Sequence, residues 1–247
     1  MILKNISFST PIENLLYDEV LLHLAEKGIQ GEVLRLWEAS KIFIVLGRIC
    51  KPEDDLKMEA IRKDQIPVLR RSSGGGTVLQ GKGCLNYSLI LSKEFNPVLH
   101  DLRKSYQLIL GKVAAVLEAV DIQAEFHPIS DIALKDSQKK ISGNSQKRGR
   151  RFILHHGTIL YDFDLPQIER YLKMPKDVPA YRQGRSHLDF VANAGTSSWD
   201  LRNQFKKVFN ITKEESVLTE QEKEYLKSFS EMNKTIVECS VGDSVKG

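Results

Sequence analysis

Residues 70–91 concentrate side chains that can hold an anion, in the order RRSSGGGTVLQGKGCLNYSLIL. The two arginines supply guanidinium donors whose fork geometry suits phosphate and carboxylate oxygens. Three consecutive glycines follow, and their backbone can approach a ligand closely and adopt dihedral angles that other residues avoid. With the neighbouring hydroxyl groups, this composition predicts a site for an anionic, phosphorylated small molecule. The residues concerned are Arg70, Arg71, Ser73, Gly74, Gly75, Gly76 and Thr77.

The same segment comes close to a nucleotide-binding Walker A loop without completing it. Residues 76–83 fit the spacing GxxxxGK, but Gly83 stands where that motif needs a serine or threonine to hold magnesium. A Walker loop also opens into a helix, whereas the composition of residues 84–91 predicts a strand. A simpler alternative is a glycine turn between two strands, although three successive glycines cost more conformational entropy than a hairpin requires.

A second group of chemically active residues lies downstream: Asp131, the stretch KKISGNSQ at 139–146, and a pair of histidines. Alone, each has an ordinary explanation as a strand-edge carboxylate, a solvated turn or a hydrogen-bonded core residue. His155 and His156 point to opposite faces of a strand, so only one of them can face a site. Adjacent histidines are also poorly spaced for metal ligation, which argues against a histidine–cysteine metal site.

Taken together and in order, these segments resemble the lipoate–protein ligase family, within the biotin/lipoyl ligase superfamily. The resemblance rests on PIENLLYDEVLL at 11–22, LRLWEASKIFIVLGR at 34–48, RRSSGGGTVLQGKGCLNYS at 70–88, KISGNSQ at 140–146, HHGTIL at 155–160 and YRQGRSHLDFVAN at 181–193. Biotin ligases match less well, because their arginine- and glycine-rich signature differs from RRSSGGGT. The resemblance implies an α+β fold, in which a mixed β-sheet flanked by helices forms a biotin/lipoyl-ligase-like catalytic domain.

The resemblance also assigns roles to individual residues. It implies that Lys140 is the essential catalytic lysine, with Lys139 the less favoured neighbour, and that Asp131 faces Mg²⁺ near the α-phosphate. Ser130 stands beside Asp131 where we expect an amide. The residues implied to bind lipoyl-adenylate and ATP are Arg70, Arg71, Ser73, Gly74, Gly75, Gly76, Thr77, Asn86, Ser142, Gly143, His156, Gly157 and Thr158.

The implied activity is ATP-dependent ligation of lipoate to protein. Lipoate would be activated as lipoyl-AMP and transferred to a lysine of a lipoyl-domain acceptor, either a 2-oxoacid dehydrogenase E2 or a glycine-cleavage H-type protein. Cations at Arg71 and Lys140, with Mg²⁺ at Asp131, would offset the repulsion between the two anions. The sequence identifies no general base for the acceptor lysine, and it decides only weakly between lipoate and octanoate.

Two alternatives stay open. An octanoyl- or lipoyl-transferase would pass the acyl chain through a cysteine thioester, but the loops where that nucleophile is expected hold Glu125-Phe126 and residues 149–151. The three cysteines are Cys50, Cys84 and Cys239, of which Cys84 is near the glycine segment. It lies at the start of an apolar strand, where a cysteine is more commonly a small buried residue than a nucleophile. The other alternative is a partner-dependent subunit of a split ligase that binds lipoyl-adenylate.

Composition agrees with a globular enzyme of the cytoplasm. Hydrophobic residues make up 41% and charged residues 28%, and the net charge is +4. The cysteines lack framework spacing, the N-terminus lacks a signal-peptide core, and no apolar stretch is long enough to span a membrane. The basic run at 147–151 can steer an acidic acceptor or ATP, or be a solvated loop, and its lack of interleaved aromatics disfavours nucleic acid.

Helices and strands alternate along the chain. A capping box at Thr10 and Glu13 predicts a first helix with an apolar stripe, and the apolar spacing from Leu102 to Val120 predicts a long helix. Further helices are predicted at 52–62, 199–209 and 220–232, with Asp164 and Thr219 as additional caps, and strands at 33–37, 42–46, 67–70, 84–91, 131–134 and 151–161. We expect the loops of this mixed sheet to carry the site.

The predicted organisation is a lipoate-ligase-like catalytic domain at 1–195 and a short helical C-terminal extension at 196–247. Many lipoate ligases carry an accessory domain of roughly ninety residues, whereas about fifty follow Asn193 here. Three possibilities follow: a compact ligase complete in itself, a ligase that needs a separate accessory-domain protein, or an enzyme of one half-reaction.

Overall fold

A computed structural model describes residues 1–232 of the chain. Within them the strands are β1 (Ile2–Lys4), β2 (Val33–Trp37), β3 (Phe43–Leu46), β4 (Val68–Arg70), β5 (Val78–Gln80), β6 (Cys84–Ser92), β7 (Ala124–His127), β8 (Asp131–Leu134), β9 (Lys140–Arg148), β10 (Phe152–Leu160) and β11 (Lys213–Glu215). The α-helices are α1 (Pro11–Glu26), α2 (Pro52–Asp55), α3 (Met58–Asp64), α4 (Leu102–Glu118), α5 (Pro166–Tyr171), α6 (His187–Phe190), α7 (Ser198–Val208) and α8 (Glu220–Met232).

The strands form two sheets. The larger one has the order β11-β1-β2-β6-β10-β9-β8-β7, in which β1 runs parallel to β11 and β2 while the other neighbours pair antiparallel. The smaller one has the order β4-β3-β5 and holds the glycine segment between β4 and β5. This confirms the predicted α+β class with a mixed sheet; the division into two sheets was not predicted.

Strand β6 shows how the large sheet separates two environments. Leu85 and Tyr87 belong to the core that α4 and α7 cover on one face. Alternation turns Asn86 and Ser88 to the opposite face, which becomes apolar at Ile90, where α1 packs against it. The polar part of this second face is therefore the place where a cleft can form.

The strongest sequence signals were correct. The Glu13 amide donates to Thr10 Oγ1 at 3.3 Å to begin α1, and the Glu222 amide donates to Thr219 Oγ1 at 3.2 Å to begin α8. The long helix is α4, although its last residue is Glu118 rather than Val120.

Two predictions about local structure were wrong, and one strand was missed. The single helix at 52–62 is two helices, because the chain breaks at Leu56 to form a bridge with Leu172. Asp164 does not cap a helix: its side chain accepts a hydrogen bond from the Gln167 side-chain Nε2 rather than from a backbone N–H, and α5 begins at Pro166. No strand was predicted at 140–148, where β9 lies.

The segment after residue 195 is built into the same structure up to residue 232. Helix α7 contributes Leu201 and Phe205 to the core beneath α4, and β11 extends the large sheet beside β1. Helix α8 packs against α1 through Leu226. The rest of the predicted extension, including Cys239, lies outside the described residues. No helix in the described part of the chain combines the length and apolar character needed to cross a bilayer.

Candidate active site

One row of residues crosses five neighbouring strands of the large sheet. Trp37 pairs with Asn86, Asn86 with Thr158, Thr158 with Gly143, and Gly143 with Asp131. At about 4.8 Å per strand the row is roughly 19 Å long. Three residues that are far apart in the sequence, Asn86, Gly143 and Thr158, therefore meet as direct neighbours.

A cleft lies over this row and over the parallel row formed by Ser88, His156 and Ser145. The glycine segment closes the cleft from the other side. Of the predicted site residues, ten line it: Arg71, Gly75, Gly76, Thr77, Asn86, Lys140, Gly143, His156, Gly157 and Thr158. The other five are not in the lining: Arg70, Ser73, Gly74, Asp131 and Ser142.

Lys140 reaches the cleft because of a β-bulge. Residues three apart in a regular strand face opposite sides, so Lys140 and Gly143 would diverge. The register between β8 and β9 shifts at Ile132 and Ala133, and Ile141 turns into the core under α4 instead. The shift places the Lys140 ammonium over Gly143, 2.8 Å from Asp131 Oδ1.

Asp131 is held on its other side as well. The Tyr181 hydroxyl donates to Asp131 Oδ2 at 2.8 Å, and burial, reinforced by the Asp131 charge, raises the pKa of Tyr181, so the phenol remains a donor. No group of three or more histidine, cysteine, aspartate or glutamate side chains that could hold a metal occurs within residues 1–232. One carboxylate suits a magnesium ion whose remaining ligands are phosphate oxygens and water.

Arg71 organises the glycine segment. Its Nη2 donates to the carbonyls of Gly74 and Gly76 at 2.7 Å each, and its Nε donates to Ser73 Oγ at 3.1 Å. Burial lowers the pKa of Arg71 to about 10, which leaves it charged at neutral pH. Arg71 thus places a positive charge at the cleft while it fixes the loop around itself.

Arg70 has a different position from Arg71. Its Nη1 donates to the carbonyls of Gly47 and Cys50 at 2.9 and 2.7 Å, so it ties down the loop after β3. That loop lies against the glycine segment, because a Cβ atom on Gly47 would overlap the Gly75 carbonyl oxygen, and Gly75 itself has a φ of +81°. The Thr77 hydroxyl donates to Asp55 Oδ2 and anchors the end of the segment.

The two adjacent histidines separate as predicted. His155 is fully buried between Tyr87 and Tyr106, on the face under α4. His156 faces the cleft, with Nε2 2.7 Å from Ser73 Oγ and Nδ1 3.7 Å from Asp18 Oδ2.

Beneath His156 lies a buried ion pair that the sequence did not reveal. Arg35 Nη1 donates to Asp18 Oδ1 at 2.6 Å, and the Ser88 hydroxyl donates to the other carboxylate oxygen at 2.6 Å. Burial acts to raise the pKa of Asp18, but Arg35 and His156 together hold it below its usual range. Asp18 is therefore a fixed negative charge beside the cleft.

Other residues of the site were missed for a common reason. Trp37, Gln80 and Ser145 line the cleft, and Tyr181 supports Asp131, yet all four are ordinary strand or loop residues in the sequence. A signal existed for Gln80 alone: a polar side chain within an apolar strand beside the glycine segment. Trp37 and Ser145 reach the cleft through strand pairing between distant segments, and Tyr181 lies in a short turn at Ala180–Arg182.

Neither cysteine that the structure describes lines the cleft. Cys84 is fully buried, and burial raises the pKa of its thiol to about 12. The prediction that Cys84 is a small core residue fits this environment. Cys50 is half-buried, with Sγ 3.5 Å from the Gly75 carbonyl oxygen.

A sequence model of the lipoyl protein ligase A/B catalytic domain matches residues 10–208. Probable lipoate-protein ligase A of Mycoplasma pneumoniae is 30% identical over 166 residues, which are 67% of this chain and 47% of that protein. Octanoyltransferase LipM of Oceanobacillus iheyensis is 28% identical, over 89% of both chains. Human mitochondrial lipoyl amidotransferase is 32% identical, over 60% of this chain and 38% of that protein. The chain thus spans about half of the ligase and nearly all of the octanoyltransferase.

Solved structures share this fold. A chain in the structure of a bi-partite lipoate protein ligase and its E2 lipoyl domain from Thermoplasma acidophilum has a TM-score of 0.77 at 22% identity, over 93% of this chain and 91% of that one. A lipoate-protein ligase A bound with ATP has a TM-score of 0.76 at 23% identity, over 93% of each chain.

Proposed function

The chain belongs to the lipoyl protein ligase A/B catalytic domain family, and we propose that it is an ATP-dependent lipoate–protein ligase. Relatives in the family act as ligases, octanoyltransferases or amidotransferases, so membership alone leaves the reaction open. The observation that carries the choice is the environment of Lys140. An ammonium paired with Asp131 faces the glycine segment, and the cleft lining in the described residues contains no thiol.

In the first half-reaction, a carboxylate oxygen of lipoate attacks the α-phosphorus of ATP and pyrophosphate leaves. Two anions must approach each other, and negative charge builds on the α-phosphate oxygens. Lys140 and Arg71 supply positive charge at the cleft, and the bare backbone of the glycine segment allows close approach. Magnesium held by Asp131 would supply further charge neutralisation.

Lys140 must leave its ion pair with Asp131 at least in part to reach the substrates. The two groups are 2.8 Å apart, and the lysine side chain is 28% exposed, so the ammonium can turn toward the cleft while the Tyr181 hydroxyl continues to hold Asp131. Asp131 is thereby available for a magnesium ion when Lys140 contacts the acyl phosphate. Lys140 and Asp131 thus pair with each other before the substrates bind and would contact the substrates and magnesium afterwards.

In the second half-reaction, the lysine amine of the acceptor attacks the acyl carbonyl, AMP leaves, and an amide forms. Lys140 can donate a hydrogen bond to the carbonyl oxygen as it becomes negative. Holding the adenylate beside the incoming amine supplies much of the rate enhancement through proximity. We propose a lipoyl domain as the acceptor and the cytoplasm as the compartment, where ATP is available.

Mass spectrometry of an apo lipoyl domain, incubated with this chain, lipoate, magnesium and ATP, tests the proposal. The expected result is a mass gain equal to one lipoyl amide, absent when ATP is omitted. A gain with synthetic lipoyl-AMP but not with ATP would indicate that a separate accessory-domain protein is needed for activation. No gain under either condition contradicts the proposal.

An octanoyl- or lipoyl-transferase is the second candidate, favoured by the nearly full-length match to octanoyltransferase LipM. It requires a cysteine that can form a thioester, and Cys50 is the better placed of the two described cysteines because Cys84 is fully buried. The variants C50S and C84S separate the candidates. Unchanged ligation in both, with no acyl thioester detectable by mass spectrometry, supports the ligase; loss of transfer in C50S supports the transferase.

A further inference from the structure

The end of the cleft farthest from Lys140 combines buried polar side chains with the apolar side chains of Leu15, Val45 and Val78, which pack in one cluster with Trp37. Trp37, Gln80 and Asn86 line it and are only 3%, 5% and 3% exposed. Their Nε1, Oε1 and Nδ2 atoms have no hydrogen-bond partner within the described residues. Buried polar atoms almost always have a partner, so three unpaired ones in a single cleft indicate that a ligand supplies the missing contacts.

A chain of hydrogen bonds determines which donors and acceptors at this end of the cleft stay available to a ligand. Gln80 Nε2 donates to Thr158 Oγ1 at 2.7 Å, and Thr158 Oγ1 donates to Asn86 Oδ1 at 2.6 Å. These hydrogen bonds leave one acceptor on Gln80 and one donor on Asn86. Reversing both amides would exchange the two roles but still leave one donor and one acceptor. The Trp37 indole adds a second donor in either case.

The spacing matches the length of the proposed substrate. Asn86 is two strands from Gly143, or about 10 Å, and Trp37 is three strands away, or about 14 Å. An extended acyl chain of eight carbons has a comparable length. A carboxyl group placed beside Lys140 therefore brings the far end of the chain to Asn86, whose partner on the next strand is Trp37.

We propose that this end of the cleft selects medium-chain acids whose terminus both donates and accepts hydrogen bonds, and that reduced lipoate, a dithiol, is the preferred form. The inference rests on the proposed function. Octanoate would leave all three polar atoms unpaired. The dithiolane ring of oxidised lipoate accepts hydrogen bonds but cannot donate to Gln80. Each thiol of the reduced form can do both, although sulfur is a weak partner.

Isothermal titration calorimetry with the free acids tests this without ATP or acceptor. We expect reduced lipoate, kept under argon, to bind about tenfold more tightly than octanoate, with oxidised lipoate between them. The acid 8-hydroxyoctanoate, which donates and accepts but cannot be oxidised, should also bind more tightly than octanoate. Equal affinity for all four acids would overturn the proposal, because water would then satisfy the polar atoms as well as the ligand does.

Two variants assign the selectivity to residues. Gln80→Met removes the acceptor and Asn86→Leu removes the donor, each with similar volume. Both variants should bind reduced lipoate more weakly and octanoate more tightly than the wild type does. The ratio of the two affinities should therefore fall to about one. Q30M is the matched control, since the Gln30 amide donates to the Leu21 carbonyl at the end of α1, outside the cleft, and its ratio should equal that of the wild type.

The result also distinguishes this inference from the proposed function. If all the acids bind with equal affinity and are ligated at equal rates, the proposed selectivity is overturned, while the proposed ligase function still holds. No binding of any of the acids contradicts both. A ratio that stays high in both variants overturns the assignment to Gln80 and Asn86, provided that each variant melts cooperatively in a thermal scan.

Discussion

Gly143 lies directly beneath the Lys140 ammonium. A Cβ atom on Gly143 would be 3.0 Å from both Cε and Nζ of Lys140, closer than most side-chain contacts, while Asp131 is its partner across the β8–β9 ladder. The absence of a side chain at Gly143 therefore allows the lysine to fold back along its own strand and reach the carboxylate. The position of the proposed catalytic group depends on a glycine three residues away.

Gly143→Ala should displace the Lys140 ammonium while leaving β9 paired. Since misplacement of a reacting group by about 1 Å can cost about 100-fold in rate, we expect kcat for ligation to fall by roughly ten- to 100-fold. Steady-state kinetics with an apo lipoyl domain measures the change, and circular dichroism checks the fold. An unchanged kcat would show that the ammonium does not need this position.

Lys140→Ala should abolish lipoyl-AMP formation and leave the protein folded, because the lysine side chain is 28% exposed. Pyrophosphate release is the direct measurement. Lys139→Ala is the matched control and should retain activity, since among residues 1–232 its ammonium donates to the Leu188 carbonyl alone, at 3.4 Å. Activity in the first variant, or its loss in the second, would reverse the assignment of the two lysines.

Gly157→Ala should destabilise the fold. A Cβ atom there would overlap Asn144 Oδ1 and lie 2.6 Å from the Tyr87 hydroxyl, which donates to that same oxygen across the glycine. Overpacking of this kind costs about 1–3 kcal/mol in the free energy of unfolding, measurable by urea titration. Gly111→Ala in helix α4 meets no atom within 4 Å and should instead stabilise by about 0.5–1 kcal/mol. Equal changes in the free energy of unfolding for the two variants would contradict the close packing around Gly157.

Arg35 and Asp18 should show strong coupling in a double-mutant cycle. Arg35→Met alone leaves a buried carboxylate without its cation and should cost about 3–5 kcal/mol in the free energy of unfolding. Adding Asp18→Asn removes the uncompensated charge, so the double variant should be more stable than the sum of the two single changes predicts. Additive effects would mean that the pair contributes independently of its contact at 2.6 Å.

His155 should make stability depend on pH. Burial, with a smaller effect of His156, lowers the pKa of His155 to about 3, whereas an unfolded histidine titrates near 6.5. The unfolded state binds a proton first, so the free energy of unfolding is highest above about pH 6.5 and falls as the pH drops toward 3.

The variant His155→Phe, which keeps a ring between Tyr87 and Tyr106, should remove up to about 1.4 kcal/mol per pH unit of this dependence between about pH 6 and 4. Urea titrations of both proteins at several pH values measure the difference. Parallel pH profiles would show that His155 is protonated in the folded state or already uncharged in the unfolded one.

Features that depend on neighbours along the chain could be predicted from the amino-acid order alone. The capping boxes at Thr10 and Thr219, the α4 stripe and the apolar strand after the glycine segment all involve contacts within a few residues, where dihedral preference and periodicity act directly. The order of the motifs was enough to indicate the family, and the pleat of a strand separated His155 from His156. These predictions needed no knowledge of how the strands pair.

Which of those residues meet could not be predicted, because strand pairing joins segments far apart in the chain. The row from Trp37 to Asp131 is set by four pairings, and the buried Asp18–Arg35 pair joins α1 to β2. The β-bulge that turns Lys140 to the cleft reverses what regular alternation predicts, since the core beneath α4 takes Ile141 instead. Burial of the apolar Ile141 side chain in the core is favourable, and the bulge that allows this burial also places Lys140 on the cleft side of the sheet.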